Sequence, residues 1–77
     1  MPVTRLPRLS GKEMVRFLEQ QGFQVIRIRG SHHYLKRRDQ NTSVPVHGNL
    51  SLKIGTLRSI LRDISLSPTE FGQLWTN

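Results

Sequence analysis

The sequence predicts one small two-layer α+β domain, in which helices cover one face of an antiparallel sheet. Three observations predict this class. Apolar residues recur at helical spacing in two separate segments, a β-rich segment lies between them, and glycines or polar turns separate the three. Seventy-seven residues suffice for one such domain and exclude a second. The predicted order is therefore helix, three antiparallel strands, helix and a short final helix.

The first helix is predicted over about residues 11–21. Ser10 and Glu13 stand three apart, as in a capping box, where each side chain satisfies a backbone donor of the other residue. Gly22 supplies the stop. Residues 1–9 contain prolines and arginines without periodicity, which predicts a basic N-terminal arm that contributes little core, followed by one domain over residues 10–77.

The middle of the chain is rich in β-formers. Residues 23–28 predict the first strand, and a second strand follows a hairpin turn near Arg29-Gly30. The register of the first strand is ambiguous, because its apolar residues Val25, Ile26 and Ile28 do not alternate cleanly.

Polar residues 38–41 predict the next turn, and Thr42–Val46 the third strand. Pro45 favours an edge position or an irregular end for that strand, because proline cannot donate to the ladder. Apolar spacing then predicts a helix over residues 53–63. A second capping signature with proline at the first helical position predicts the last helix, whose apolar stripe is Phe71, Leu74 and Trp75.

Alternation divides the side chains of the second strand between the two faces of the sheet. Leu35 is the natural core residue, so the residues that share its face point toward the helices. The pattern places His32, Tyr34 and Lys36 on the open face, and His33, Leu35 and Arg37 on the helix-covered face.

The composition indicates a polyanionic partner. The chain has twelve Lys and Arg against five Asp and Glu, a formal charge of +7 and a pI of about 11.5, which favours nucleic acid. An acidic protein would satisfy the same charge. The chain has no cysteine for disulfides or thiolate metal sites, and no apolar run long enough for a membrane span. We therefore expect a soluble cytoplasmic protein that needs no membrane or small-molecule cofactor.

The segment 29–38 carries the candidate chemistry, because it combines two histidines, a tyrosine and several cations. Imidazole exchanges protons near neutral pH, and cations hold phosphate oxygens. A zinc site is not expected, because His32 and His33 point to opposite faces. Ser31 would point away from His32, which disfavours a serine triad. For His33 the favoured interpretation is a partly buried histidine bonded to the backbone. For His47 it is an ordinary loop histidine, although the loop after the third strand could bring it near the hairpin.

The chain resembles the HicA family of toxins over roughly residues 10–75. The resemblance rests on the joint order of four short motifs: Gly22-Phe23, Gly30-Ser31-His32 followed by Leu35, Val44-Pro45-Val46-His47-Gly48-Asn49, and Gly55-Thr56-Leu57-Arg58-Ser59-Ile60-Leu61. It implies a fold like the double-stranded-RNA-binding domain and a ribonuclease that cleaves messenger RNA without a metal. It also implies that His32 is catalytic and that a HicB-like antitoxin is the partner.

Within that resemblance, charge and position suggest which residues contact RNA. We expect Gly30 and Ser31 to shape the turn before His32, and Tyr34 to stack on a base. The candidate phosphate contacts are Arg27, Arg29, Lys36 and Arg37, for which a solvated basic surface is the alternative interpretation. Two other functions stay open: a noncatalytic RNA-binding module of the same fold, and an adaptor that binds only protein.

Overall fold

The structure is a computed structural model that describes residues 6–75. Its elements are α1 (Gly11–Gln20), β1 (Gln24–Arg29), β2 (His32–Arg37), β3 (Gln40–Pro45), α2 (Ile54–Asp63) and α3 (Pro68–Leu74). The predicted α+β class and the order of elements are confirmed, and the arrangement is that of a double-stranded-RNA-binding-domain-like fold. None of the helices within residues 6–75 is long and apolar enough to cross a membrane.

The three strands form one antiparallel sheet in the order β1-β2-β3. Pro45 therefore lies on an edge strand, as its missing N–H predicted. The polar turn is shorter than predicted, because Gln40 already pairs with Arg37 and leaves only Arg38-Asp39 unpaired. Arg38 takes a φ of 55° there, in the left-handed region that hairpin turns need.

The core lies between the sheet and the helices. Leu35 and Val44 contribute from the sheet, and both are completely buried. The helices contribute Met14, Phe17, Leu18, Leu57, Ile60, Leu61 and Phe71. The Phe71 ring meets the Phe17 ring edge-on, with centroids 4.9 Å apart, and so fixes α3 against α1.

One expectation about the N-terminal segment is wrong. Leu9 is only 1% exposed and belongs to the core, and its carbonyl accepts a hydrogen bond from Leu52 N–H at 2.8 Å. Leu6 packs against the same core. The segment is held by pairing with the approach to α2, which leaves no local periodicity for sequence analysis to detect. The remaining part of the predicted arm, residues 1–5, lies outside the described residues.

Both predicted capping boxes are present. The Ser10 hydroxyl accepts from Glu13 N–H, and the Glu13 carboxylate accepts from Ser10 N–H at 2.9 Å. Ser67 and Glu70 repeat this arrangement at α3. The hydrogen bonds that Glu70 forms with the backbone and the side chain of Ser67 lower the pKa of Glu70, because both stabilise its ionised carboxylate.

A β-bulge in β1 explains why its sequence does not alternate. Val25 pairs with Leu35 and Arg27 pairs with Tyr34, so Ile26 has no partner between them. The extra residue reverses the alternation, and Arg27 and Arg29 thereby come to the face opposite to that of Val25. A regular strand with the same sequence would have turned both arginines toward the helix layer.

Gly11 lets the first turn of α1 press against the end of β3. It is buried, and a Cβ placed on it would overlap the carbonyl oxygen of Pro45 and crowd the Cα of Val46. This glycine is therefore required for close approach. The contact fixes the end of β3 from the helix side.

We expect Gly11→Ala to lower the free energy of unfolding by about 1–3 kcal/mol, because the new methyl group meets backbone that cannot yield. Gly72→Ala is the matched control. Nothing lies within 4 Å of the added methyl group in α3, and alanine is the better helix former by about 1 kcal/mol. Thermal denaturation should therefore move in opposite directions for the two variants, and equal shifts would contradict the packing argument.

Candidate active site

A tight hairpin turn sets the position of the candidate histidine. Arg29 pairs with His32, so only Gly30 and Ser31 connect β1 to β2. Gly30 has a φ of +58°, as the first position of a type II′ turn requires. The Ser31 carbonyl accepts a 2.6 Å hydrogen bond from Val46 N–H, which continues the β2–β3 ladder past Pro45. This bond thus holds the Gly30-Ser31 turn against the end of β3, at the point where β2 begins.

His32 lies on the face of the sheet away from Leu35, as alternation predicted. It is exposed, and its ring centroid lies 6.5 Å from that of Tyr34 on the same face. Its cross-strand neighbours are Arg29 on β1 and Pro45 on β3. The imidazole is therefore free to meet a ligand, with a cation on one side and the sheet edge on the other.

His32 also forms one wall of a groove between β3 and α2, which we call the β3–α2 groove. Its volume is about 370 Å³. The polar and strand residues that line it with His32 are Ser43, Pro45, Thr56, Ser59 and Asp63. Three hydroxyl groups thus line the same groove as the imidazole, and the groove is large enough for a ribose or a base.

A hydrogen bond from a buried residue joins the two walls of the groove at one end. Thr42 is 5% exposed on β3, and its Oγ1 donates to Oδ2 of Asp63 at 3.0 Å. This bond ties the last residue of α2 to the edge strand. At the other end of α2, Lys53 is the N-cap, and its side chain does not cap the helix. The positive end of the α2 dipole therefore lies at the groove, beside Thr56.

Three of the predicted RNA-contacting cations share the face of His32. Arg27 pairs with Tyr34, Arg29 pairs with His32, and Lys36 lies further along β2. All three are exposed. Within residues 6–75, none of them forms a side-chain hydrogen bond or an ion pair. In the part of the chain that the structure describes, the open face therefore carries three cationic side chains that are not paired with a carboxylate.

Arg37 is not part of this cluster. It lies on the helix-covered side, where Nη1 donates to the Gln21 carbonyl at 2.7 Å and Nη2 to Gln40 Oε1 at 2.8 Å. Its guanidinium also lies over the Phe23 ring, 4.6 Å from the centroid. These contacts close the C-terminus of α1 against the sheet. A phosphate contact by Arg37 stays a prediction, and it would require the side chain to leave these partners.

The other two histidines lie in different surroundings. His33 pairs with Ile28 and Val44 on the helix-covered side, and its buried Nδ1 has no hydrogen-bond partner among residues 6–75. The backbone bond expected in one interpretation of His33 is thus missing at Nδ1. His47 is exposed and lies beyond β3.

Sequence reasoning missed the α2 side of the site. Thr56 and Ser59 lie on α2, and Ser43 on β3 reaches the same groove. Helical spacing placed Thr56 and Ser59 one turn apart, away from the apolar stripe, but nothing in the sequence indicated which strand that side of α2 would meet. Among residues 6–75, no group of three or more His, Asp or Glu side chains is placed to hold a metal ion.

The fold and the site define a small basic α+β domain that presents a histidine in a groove beside a cationic sheet face. Comparison with known families identifies it further. The profile of the family described as "HicA toxin of bacterial toxin-antitoxin" matches residues 11–66, well over half of the chain. No curated protein is a significant match. The chain belongs to the HicA toxin family, which confirms the resemblance, supports a toxin role and a ribonuclease role in general terms, and implies a cognate antitoxin.

Two neighbouring cations on opposite faces should respond differently to truncation. We expect Arg37→Ala to lower the free energy of unfolding by about 1–3 kcal/mol, because it removes two hydrogen bonds and a cation–π contact. Lys36→Ala should change it by less than about 0.5 kcal/mol, because Lys36 is an exposed surface residue. Urea unfolding followed by circular dichroism measures both. A larger effect for Lys36 would refute the assignment of faces.

Proposed function

We propose that this chain is an endoribonuclease that cleaves messenger RNA, with His32 as its catalytic residue. The observation that carries the proposal is the position of His32, exposed in the polar β3–α2 groove and next to uncompensated cations. Membership of a toxin family supports the same conclusion, because cleavage of messenger RNA would stop growth. Such a substrate would place the activity in the cytoplasm.

The chemistry available to the site favours RNA over DNA. A ribose 2′-hydroxyl can attack the adjacent phosphorus, whereas DNA lacks this internal nucleophile. The imidazole of His32 would take the proton from that hydroxyl or give one to the leaving oxygen, a contribution of about 10²- to 10⁴-fold. Arg27, Arg29 and Lys36 would hold phosphate oxygens, and Tyr34 could stack on a base beside the histidine.

The proposed inhibition follows from the same surface. A HicB-like antitoxin that covers the open face would mask His32 and neutralise the three cations together. Its docking surface should then be acidic, because complementary charge steers association with a chain of net charge +7.

The decisive test compares wild type, His32→Ala and His33→Gln on a long single-stranded RNA in EDTA. We expect His32→Ala to lose about 10²- to 10⁴-fold in cleavage rate, because no side chain then transfers the proton. His33→Gln is the matched control, since the adjacent histidine faces the helix layer. Thermal melts establish that each variant is folded. A DNA of the same sequence should remain intact.

Other results of this comparison would overturn the proposal. Equal cleavage by wild type and His32→Ala would assign the chemistry to another residue. Tight binding of RNA without cleavage by any variant would identify a noncatalytic RNA-binding module. Absence of salt-dependent RNA binding would indicate a protein adaptor.

The role of the cationic face is tested separately, in the His32→Ala background, where RNA stays intact. Arg27→Ala, Arg29→Ala and Lys36→Ala should each weaken binding to single-stranded RNA. Each should also reduce the slope of log K against log salt by about 0.7 for each phosphate that the protein no longer neutralises. Arg16→Ala removes the same charge from an exposed position on α1 and should leave the slope unchanged. Equal slopes for all four variants would show that only net charge matters.

A further inference from the structure

His47 lies on the same side of the sheet as His32. Pro45 pairs with His32, and the bond from Val46 N–H to the Ser31 carbonyl carries the ladder one residue further. With Val44 buried and Val46 packed against the core, alternation turns Pro45 and His47 outward. His47 comes directly after this extension, two residues beyond Pro45.

The surface between the two histidines is continuous. His47 lines a second groove of about 270 Å³, together with Leu50 and Lys53. That groove shares Pro45 and Thr56 with the β3–α2 groove that His32 lines. One bound chain of nucleotides could therefore pass both imidazoles without leaving the surface.

The backbone that carries His47 is fixed on both sides. Before it, Gly11 packs against the Pro45 carbonyl and the Val46 Cα. After it, the His47 carbonyl accepts a 3.0 Å hydrogen bond from Leu50 N–H, in a turn where Gly48 has a φ of +55°. The side chain is exposed, so its imidazole is free to exchange protons with a ligand.

Cleavage of RNA by its own 2′-hydroxyl needs two proton transfers on opposite sides of phosphorus. One group takes the proton from O2′ as the O2′–P bond forms, and another gives a proton to O5′ as the P–O5′ bond breaks. Each transfer requires hydrogen-bond reach of about 2.6–3.2 Å. The two transfers therefore need two separate groups beside one phosphoryl group, and His32 and His47 line adjoining grooves that share Pro45 and Thr56. A single imidazole cannot stand at both ends at once.

We propose that His47 is a second catalytic residue, the general acid that protonates the leaving O5′ while His32 acts as the base. This inference rests on the proposed ribonuclease function. The larger groove at His32 has hydroxyls of Ser43, Thr56 and Ser59 suited to the ribose that carries the nucleophile, and the leaving strand exits past His47. The products are a 2′,3′-cyclic phosphate and a free 5′-hydroxyl, and the two histidines then exchange protons with water.

The test uses leaving groups of different basicity. An oligonucleotide spanning a mapped cleavage site is prepared with the ordinary 5′-oxygen and with a bridging 5′-sulfur, a leaving group that needs no protonation. We expect His47→Gln to cleave the oxygen substrate about 10²- to 10⁴-fold more slowly than wild type, and the sulfur substrate at close to the wild-type rate. His32→Gln should be slow on both. Added imidazole should restore cleavage of the oxygen substrate by His47→Ala, in proportion to its protonated form.

Two results would overturn the assignment of His47. One is a wild-type rate of His47→Gln on the oxygen substrate, and the other is an equal loss on both substrates without rescue by imidazole. Thermal melts confirm that the variants are folded, and Asn49→Ala in the same exposed loop should behave as wild type. If the wild type cleaves neither substrate, the proposed ribonuclease function fails and this inference falls with it. Cleavage by wild type with no role for His47 leaves the proposed function intact.

Discussion

The burial of Leu35 is the constraint on which the rest of the sheet depends. This residue is completely buried at the centre of the middle strand, paired with Val25 on one side and Thr42 on the other. A shift of one residue would bury Tyr34 and Lys36 in its place and expose an apolar side chain to water, which is costly for both groups. The outward direction of His32 is thus a consequence of the burial of Leu35, three residues further along β2. No contact within the groove is needed to orient the histidine.

Much of the fold could be predicted because it depends on local patterns. Capping boxes at Ser10 and Ser67 and the alternation around Leu35 are visible within a few residues of sequence. The shape of the site could not be predicted in this way. Ser59 meets His32 across a groove because α2 lies along β3, and that placement is set by long-range contacts such as the bond between Thr42 and Asp63. The burial of Leu9 could not be predicted for the same reason, since its partner Leu52 is distant in sequence.

The two sides of the sheet carry different kinds of residue. The helix-covered side holds the apolar core, and even a cation there, Arg37, is engaged in closing α1 against the strands. The open side combines an exposed histidine, an aromatic ring and free cations in a toxin of the HicA family. Because the two sets alternate along one strand, residues adjacent in sequence have unrelated roles, and a substitution at one of them reports little about its neighbour.

The bulge at Ile26 has a consequence for variation in chain length. Ile26 is 58% exposed and has no cross-strand partner, so a gene that lacked its codon would encode a regular strand with every other pairing unchanged. Arg27 and Arg29 would still stand on the side of His32, and Val25 would still meet Leu35. Homologous chains that differ by one residue at this point can therefore present the same charged surface, although their aligned sequences appear out of phase.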